Sequence, residues 1–160
     1  MDIPNTIIGV ILLITLIAPI VVINKRISKK RKQFLNQINE FASEDQKKVN
    51  EFETWTDNSI IGISNDNKML YFIRNTSNYN LKTKVVVSEI KNCFIKENKE
   101  FKKTNSLELV FELKSNKNNV VLEFFKADEK NFMIGEEMRI AKSWQSKLSE
   151  EITNGKILFI

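Results

Sequence analysis

A chain of 160 residues is long enough for one compact domain and an accessory segment, but not for two domains. It contains no histidine and one cysteine, Cys93, which excludes histidine-based catalysis, an intramolecular disulfide and the commonest zinc ligand. The formal charge is +5, and this whole excess comes from a basic segment near the N-terminus. Cys93 itself is expected to be a small buried apolar residue.

An apolar run, TIIGVILLITLIAPIVVI, extends from Thr6 to Ile23. A helix needs roughly 17–20 apolar residues to cross a bilayer core of ~30 Å, and this run reaches that length. A cleaved signal peptide is the competing interpretation. However, only Asp2 is charged before the run, and no small-residue cleavage pattern follows it. We therefore predict a transmembrane signal-anchor helix over residues 1–24, in contact with the lipid bilayer.

A dense basic segment follows the apolar run directly. Its six positive residues are Lys25, Arg26, Lys29, Lys30, Arg31 and Lys32. Cytoplasmic flanks of membrane helices collect Lys and Arg, so the segment predicts an N-terminus outside and a C-terminal domain in the cytoplasm. The expected location is the cell inner (plasma) membrane, with a single pass. The same residues are candidates to contact anionic lipid headgroups at the membrane surface.

Beyond the basic segment the charge is balanced. Residues 33–160 carry equal numbers of positive and negative side chains. A nucleic-acid-binding domain would present a basic face of its own, so we expect no nucleic-acid partner.

Residues 25–54 are predicted to form a basic juxtamembrane collar and an amphipathic helical connector. Apolar residues at helical spacing indicate a helix from Ser28 to Ala42: Phe34, Ile38 and Phe41, with Leu35 and Ala42 beside them. Either this helix packs its apolar stripe on the following domain, or it lies on the bilayer with its basic residues facing lipid. Ser43 and Gln46 resemble a capping box, which predicts a second short helix or a turn.

Residues 55–160 are predicted to form a β-rich domain with a C-terminal helix. Two β-rich runs, Ser59–Ser64 and Met69–Arg74, flank an Asn/Asp-rich connector and predict a hairpin. The segment LELVFELK from Leu107 alternates cleanly, as a half-buried antiparallel strand does. Further strands are predicted at Val85–Val87, in NCFIKE and at Val120–Lys126.

A helix is predicted from Glu136 to Thr153 at the end of this domain. Its apolar face comprises Met138, Ala141, Trp144, Leu148 and Ile152. Asn154 and Gly155 supply a stop signal, and the closing segment KILFI is expected to pack back on the sheet.

About six antiparallel strands followed by one amphipathic helix predict an α+β fold. The phrases VVVSEIKNCFI, LELVFELK, VVLEFF and AKSWQSKL, in this order, resemble the pleckstrin-homology-like (PH-like) superfamily, in particular small bacterial members. The resemblance covers roughly Trp55 to Ile152. It implies a strongly bent antiparallel β-sheet or barrel closed by the C-terminal helix. Another curved-sheet α+β fold is the alternative.

The resemblance does not carry a lipid-phosphate site with it. Phosphoinositide-binding members cluster basic residues around the first hairpin, whereas here Asp66 opposes Lys68 and Arg74 stands alone at the far end. Four acidic residues match no calcium-loop spacing, so no metal is expected: Asp128, Glu129, Glu136 and Glu137. The four glycines are not clustered, so no phosphate-cradling loop and no cofactor are expected.

These observations predict a non-catalytic, single-pass membrane protein that presents a PH-like interaction or scaffolding domain at the cytoplasmic membrane face. An exposed sheet edge could accept a strand of a partner protein. The alternative is a membrane-anchored immunity or assembly factor with one dedicated protein partner. An unrecognised enzyme that uses carboxylate or lysine chemistry near the membrane is a further alternative, since the lack of histidine does not exclude it.

Overall fold

The computed structural model describes residues 3–55, 58–75, 80–101, 103–115, 118–127 and 134–157. Side chains of residues 3–14, 16–17, 19–21 and 154–157 lie outside this description, although their backbone is helical. The described elements are α1 (Ile3–Ser43), β1 (Val49–Thr54), β2 (Ile60–Ser64), β3 (Met69–Asn75), β4 (Asn80–Val86), β5 (Ile90–Glu100), β6 (Lys103–Leu113), β7 (Val120–Lys126) and α2 (Glu137–Ile157). The α+β class predicted from the sequence is therefore confirmed.

The described strands form two antiparallel sheets. Strands β1 to β4 make the first sheet in chain order, and β5 to β7 make the second. A short 3₁₀ turn, Val87–Glu89, connects them. In the described part of the chain the two sheets are not joined into a closed barrel.

The hydrophobic core draws on the inner faces of both sheets and on one face of α2. The residues that face this core alternate along their strands, as in Ile61 and Ile63 of β2 and Leu107, Leu109 and Phe111 of β6, while β2 and β3 bury their other face as well. This period of two is what a sheet with one face on the core requires. Each such side chain stabilises the fold by roughly 1.5–3 kcal/mol when it leaves water. In β6 the predicted core face of Leu107, Leu109 and Phe111 is confirmed, whereas Val110 on the opposite face is buried as well.

Helix α2 covers the second sheet with the face that its apolar spacing predicts. Ala141, Trp144 and Leu148 are buried, and Met138 and Ile152 pack against the same core. The predicted stop at Asn154 and Gly155 is wrong, because α2 continues to Ile157. A glycine ends a helix by adopting a positive φ, and no described glycine does so. The closing residues 158–160 lie outside the described residues.

The last turns of α1 cover the outer face of the first sheet. Ile38, Phe41 and Ala42 are buried, which confirms for these residues that the apolar stripe packs on the domain. The Phe41 ring meets the ring of Tyr71 edge to face, with centroids 5.4 Å apart. A β-carbon on Gly62 would lie 2.7 Å from Ile38 Cδ1, so the lack of a side chain there admits the helix.

Strand β1 was not predicted from the sequence, which placed residues 25–54 in a helical connector. Val49, Phe52 and Trp55 recur every third residue, and not with the period of two that identifies a strand. The register of β1 against β2 shifts between Val49 and Glu51. Such an irregularity breaks the strict alternation by which a strand is recognised.

The link between α1 and β1 is a turn, with no second helix. The Ser43 hydroxyl donates a hydrogen bond to the Glu40 carbonyl oxygen at 2.7 Å, and so acts on the end of α1. Gln46 has a φ of 56°, the left-handed conformation that reverses the chain. Asn39 then aligns β1, because its amide group bonds both the N–H of Val49 at 2.7 Å and the carbonyl of Val49 at 3.1 Å.

By contact density the chain divides into two units, Met1–Gln37 and Ile38–Ile160. Among the described residues, no helix combines the length and apolar character needed to cross a membrane. Most side chains of the predicted anchor, residues 1–24, lie outside that description.

Candidate functional site

The basic segment predicted as a topology signal lies on α1. All six of its side chains are exposed, and Lys30 Nζ lies 5.5 Å from the centre of the Phe34 ring. Helical residues advance by about 100° each, so these six positions surround the helix axis and do not gather on one face. A collar of charge fits a helix that passes through a headgroup layer better than a helix lying on it.

Cys93 offers no reactive thiol. It is 5% exposed, and burial raises the pKa of its thiol to about 12. A thiol in this state is not a nucleophile at neutral pH, because only the thiolate attacks. The expectation of a buried, inert cysteine is confirmed.

The acidic residues considered for a metal site are engaged with the protein itself where the structure describes them. Glu136 accepts a hydrogen bond from Arg139 Nε at 2.6 Å, and the Glu137 carboxylate accepts one from the N–H of Gly135 at 2.6 Å. Asp128 and Glu129 lie outside the described residues. Within the described ranges, no group of three or more acidic, cysteine or histidine side chains is placed to hold a metal ion.

The sequence suggested that Asp66 opposes Lys68 in the first hairpin, but the structure gives Asp66 another partner. Its carboxylate pairs with Lys47 Nζ at 2.6 Å and accepts a hydrogen bond from Ser64 Oγ at 2.6 Å. Lys68 contributes only its backbone N–H, at 3.4 Å. The bond from Lys47 and then that from Ser64 hold the pKa of Asp66 far below its usual range.

A second polar cluster lies near the first and is built on Asp45. Lys84 Nζ lies 2.8 Å from Asp45 Oδ1, and the Tyr71 hydroxyl donates to Asp45 Oδ2 at 3.3 Å. The hydrogen bond from Lys84 lowers the pKa of Asp45, while burial and then the charge of Asp45 raise the pKa of Tyr71. Both clusters fasten the α1–β1 turn to the first sheet, so their charges already have partners within the fold.

The sequence suggested that Arg74 is a lone surface cation, but the structure places it in the interior. It is 3% exposed, its Nη1 donates to Ser59 Oγ at 3.3 Å, and its Nε lies 3.7 Å from Glu123 Oε1 on β7. Arg74 on β3 and Glu123 on β7 therefore link the two sheets. The guanidinium group is committed to this internal contact and not to a ligand at the surface.

The β5–β6 hairpin carries a surface feature that sequence reasoning missed. Phe101 at its tip is 94% exposed. Beside it lies a shallow concavity of about 320 Å³ lined by Glu100, Phe101, Lys103, Thr104, Asn105 and Ala127. A signal was present in the sequence, because Phe101 is the one aromatic residue within the charged run KENKEFKK.

Comparison of the chain with protein-family models, curated proteins and solved structures finds no match. The candidate sites are therefore defined by the residues alone. They are the exposed basic collar on α1, the tip of the β5–β6 hairpin, and the edges of the two sheets, formed among the described strands by β1, β4, β5 and β7. These three surfaces are the candidates for contact with a membrane or a partner protein.

Proposed function

We propose that the protein is a non-catalytic, single-pass membrane protein that holds a PH-like interaction domain at the cytoplasmic face of the membrane. The observation that carries this proposal is the succession along the chain of an apolar run, a collar of six basic residues and a charge-balanced remainder. Each part has a physical counterpart: the hydrocarbon core, the headgroup layer and the aqueous phase.

The length of the apolar run supports the anchor. The backbone is helical from Ile3 to Ser43, so residues 6–23 lie in one continuous helix. Eighteen residues rise roughly 27 Å at ~1.5 Å per residue, which is close to the ~30 Å of a bilayer core. The collar begins two residues after this run, where a headgroup layer would start.

The order of elements supports the PH-like assignment of the domain. Antiparallel strands come first, and the helix that covers the second sheet comes last, as the resemblance implies. The alternative of another curved-sheet α+β fold keeps the same order of strands and helix.

The exposed edge of β4 is a suitable contact surface for a partner strand. It carries exposed Leu81, and its outward backbone groups are not paired with a described strand. Addition of a partner strand would satisfy these groups, and the bound segment would gain main-chain hydrogen bonds. A membrane tether raises the local concentration of the domain, so a weak contact of this kind suffices.

The anchor and its orientation are tested together by cysteine labelling of the full chain in bacterial cells. Asp2→Cys should react with a membrane-impermeant maleimide in intact cells, and Glu150→Cys, an exposed position on α2, should react only after permeabilisation. The unmodified chain is the control, because its buried Cys93 should not react. The protein should also stay in the membrane pellet after carbonate washing. Release by carbonate, or the reverse labelling pattern, would contradict the proposal.

A further inference from the structure

The tip of the β5–β6 hairpin places an aromatic ring in water. Glu100 and Lys103 are paired in register, so the connection between the strands consists of residues 101 and 102. Phe101 is 94% exposed, the most of the large apolar side chains that the structure describes as exposed. The others, such as Leu81 at 44% and Ile27 at 60%, keep more of their surface covered.

Turn geometry does not account for a phenylalanine at this position. Phe101 has a φ of 47°, in the left-handed region. Two-residue hairpin turns that need positive φ favour asparagine, aspartate or glycine, and a bulky residue there is strained. The ring gains nothing from packing either, since it is almost fully hydrated. Phe101 therefore suits neither the turn nor the solvent, as expected of a residue that serves a contact outside the chain.

The charges around Phe101 indicate which kind of contact. The run from Lys96 to Lys103 contains four lysines and two glutamates, so it keeps a net charge of +2 with the exposed Glu100 beside the ring included. Glu97 is half-buried and accepts a hydrogen bond from Thr104 Oγ1 at 2.6 Å. Lys99 lies 3.1 Å from Glu97, but its side chain keeps 59% of its surface exposed and can also reach an outside partner. Lys103 is exposed and pairs with no described residue. An aromatic ring flanked by exposed lysines is the combination that favours the interface of an anionic bilayer.

We propose that Phe101 inserts into the headgroup layer of an anionic membrane, where Lys99 and Lys103 contact lipid phosphates. This contact belongs to the domain and is separate from the collar on α1. The inference rests on the proposed function, which places the domain beside a bilayer. A hydrophobic pocket on a partner protein is the competing occupant. It is disfavoured because the lysines around the ring would have to lose water or find acidic partners there.

The test uses the full chain with Phe101→Trp, reconstituted in nanodiscs that contain either neutral or anionic lipids with brominated acyl chains. Bromine quenches tryptophan fluorescence only at short range. The introduced indole should be quenched in anionic discs and emit at shorter wavelength there than in neutral discs. Trp55 and Trp144 are buried, so the unmodified chain supplies the background signal. Val121→Trp, an exposed apolar position on β7 with no lysine next to it in sequence, is the matched control and should show no dependence on lipid charge.

A charge variant extends the test. In the Phe101→Trp background, Lys99→Gln with Lys103→Gln should weaken the contact in anionic discs by roughly 20-fold or more, about fivefold for each lysine. If the introduced indole is unquenched in anionic discs, or if quenching is the same in neutral discs, the proposal is overturned. An indole that stays unquenched would leave a protein pocket as the occupant.

Failure of the hairpin contact and failure of the membrane anchor give different results. A Phe101→Trp chain that carbonate extracts would refute the anchor, yet its introduced indole could still be quenched by added brominated anionic vesicles. An anchored Phe101→Trp chain whose introduced indole is unquenched would refute the hairpin contact alone.

Discussion

Asp66 shows how a single carboxylate fixes the first hairpin to the start of the domain. It joins Lys47, which precedes β1, to Ser64 at the end of β2. Ser64 Oγ in turn accepts hydrogen bonds from the N–H groups of Lys68 at 3.2 Å and Met69 at 3.0 Å. The turn between β2 and β3 is therefore held by an ionised carboxylate, and the stability of the domain should depend on pH.

We expect Asp66→Asn to destabilise the chain at neutral pH and to matter less in acid. The folded-state pKa of Asp66 is lowered, so the stabilisation by the carboxylate is complete above its unfolded pKa of about 3.9 and is lost as pH falls through the lowered value. The cost at neutral pH should be at most about 1 kcal/mol, because water screens the half-exposed pair with Lys47.

Urea unfolding of the unmodified and Asp66→Asn chains in detergent micelles, at a series of pH values, would measure the difference between their free energies of unfolding. This difference should be constant above about pH 5 and shrink progressively below about pH 4. Glu150→Gln, at an exposed position without a described partner, should show no such trend. A difference that grows as the pH falls would show that the carboxylate is not stabilised in the fold.

At the scale of elements, the docking of α1 on the first sheet depends on a glycine. A β-carbon added at Gly62 would lie 2.7 Å from Ile38 Cδ1, 2.7 Å from Val49 Cγ1 and 3.1 Å from the Glu51 carbonyl oxygen. The Ile38 methyl group can rotate away, but the branched Val49 side chain and the backbone of β1 cannot. Residues of α1 and of β1 thus both pack against Gly62 of β2.

Gly62→Ala should therefore destabilise the fold by about 1–3 kcal/mol through overpacking. Gly135→Ala is the matched control, since a β-carbon there meets only Glu137 Oε2 at 3.3 Å. Thermal unfolding of both variants, followed by near-ultraviolet circular dichroism, would give the two values. In a Val49→Ala background, Gly62→Ala should cost less free energy of unfolding than it does in the unmodified chain, because one of the crowded side chains has been removed. Equal stability of the Gly62 and Gly135 variants would contradict the docking described.

Elements with an undisturbed period were predictable from the sequence, and those with local irregularities were not. The core-facing residues of β6 were predicted from their alternation, and β7 was predicted at its observed bounds, Val120–Lys126. β1 was missed because a shift in its register hides the alternation. The end of α2 was missed because Gly155 can be helical as well as a stop. Periodicity reports burial on one face, and it does not report bulges or backbone dihedral angles.

The candidate surfaces also include features that the sequence predicts and features that it does not. The exposure of the six basic residues on α1 was predictable, because charge and hydropathy along the chain define this segment. The burial of Arg74 was not, because its partner Glu123 lies on a strand of the other sheet. The exposure of Phe101 also escaped prediction, since an aromatic residue next to a strand is normally assigned to the core. Both depend on which residues the tertiary fold brings together.

At the scale of the whole molecule, Trp55 ties the two sheets together. Its ring stacks on Phe124 of β7 with centroids 4.8 Å apart, and its Nε1 donates to the Phe124 carbonyl oxygen at 3.2 Å. Trp144 of α2 is also buried, but its Nε1 has no hydrogen-bond partner among the described residues. The two tryptophans therefore differ in one hydrogen bond while sharing one core.

Trp55→Phe should cost more stability than Trp144→Phe, by about 1 kcal/mol or more. Both replacements remove the same ring volume, but only the first leaves a buried carbonyl without its donor. The second removes an N–H group that is buried without a partner, which offsets part of the cavity cost. Urea unfolding of the two variants under identical conditions would measure the difference. A Trp144→Phe variant that is the less stable of the two would contradict this account.

The burial of Cys93 has a consequence for how the molecule responds to its surroundings. Histidine and cysteine are the side chains whose ordinary pKa values lie between about 6 and 9. The chain has no histidine, and its one thiol has a pKa of about 12. Neither residue type can therefore act as an acidity sensor across the neutral range. The proposed attraction of the collar and of the hairpin to anionic lipid should therefore follow ionic strength and lipid composition, and it should be insensitive to a shift of one pH unit.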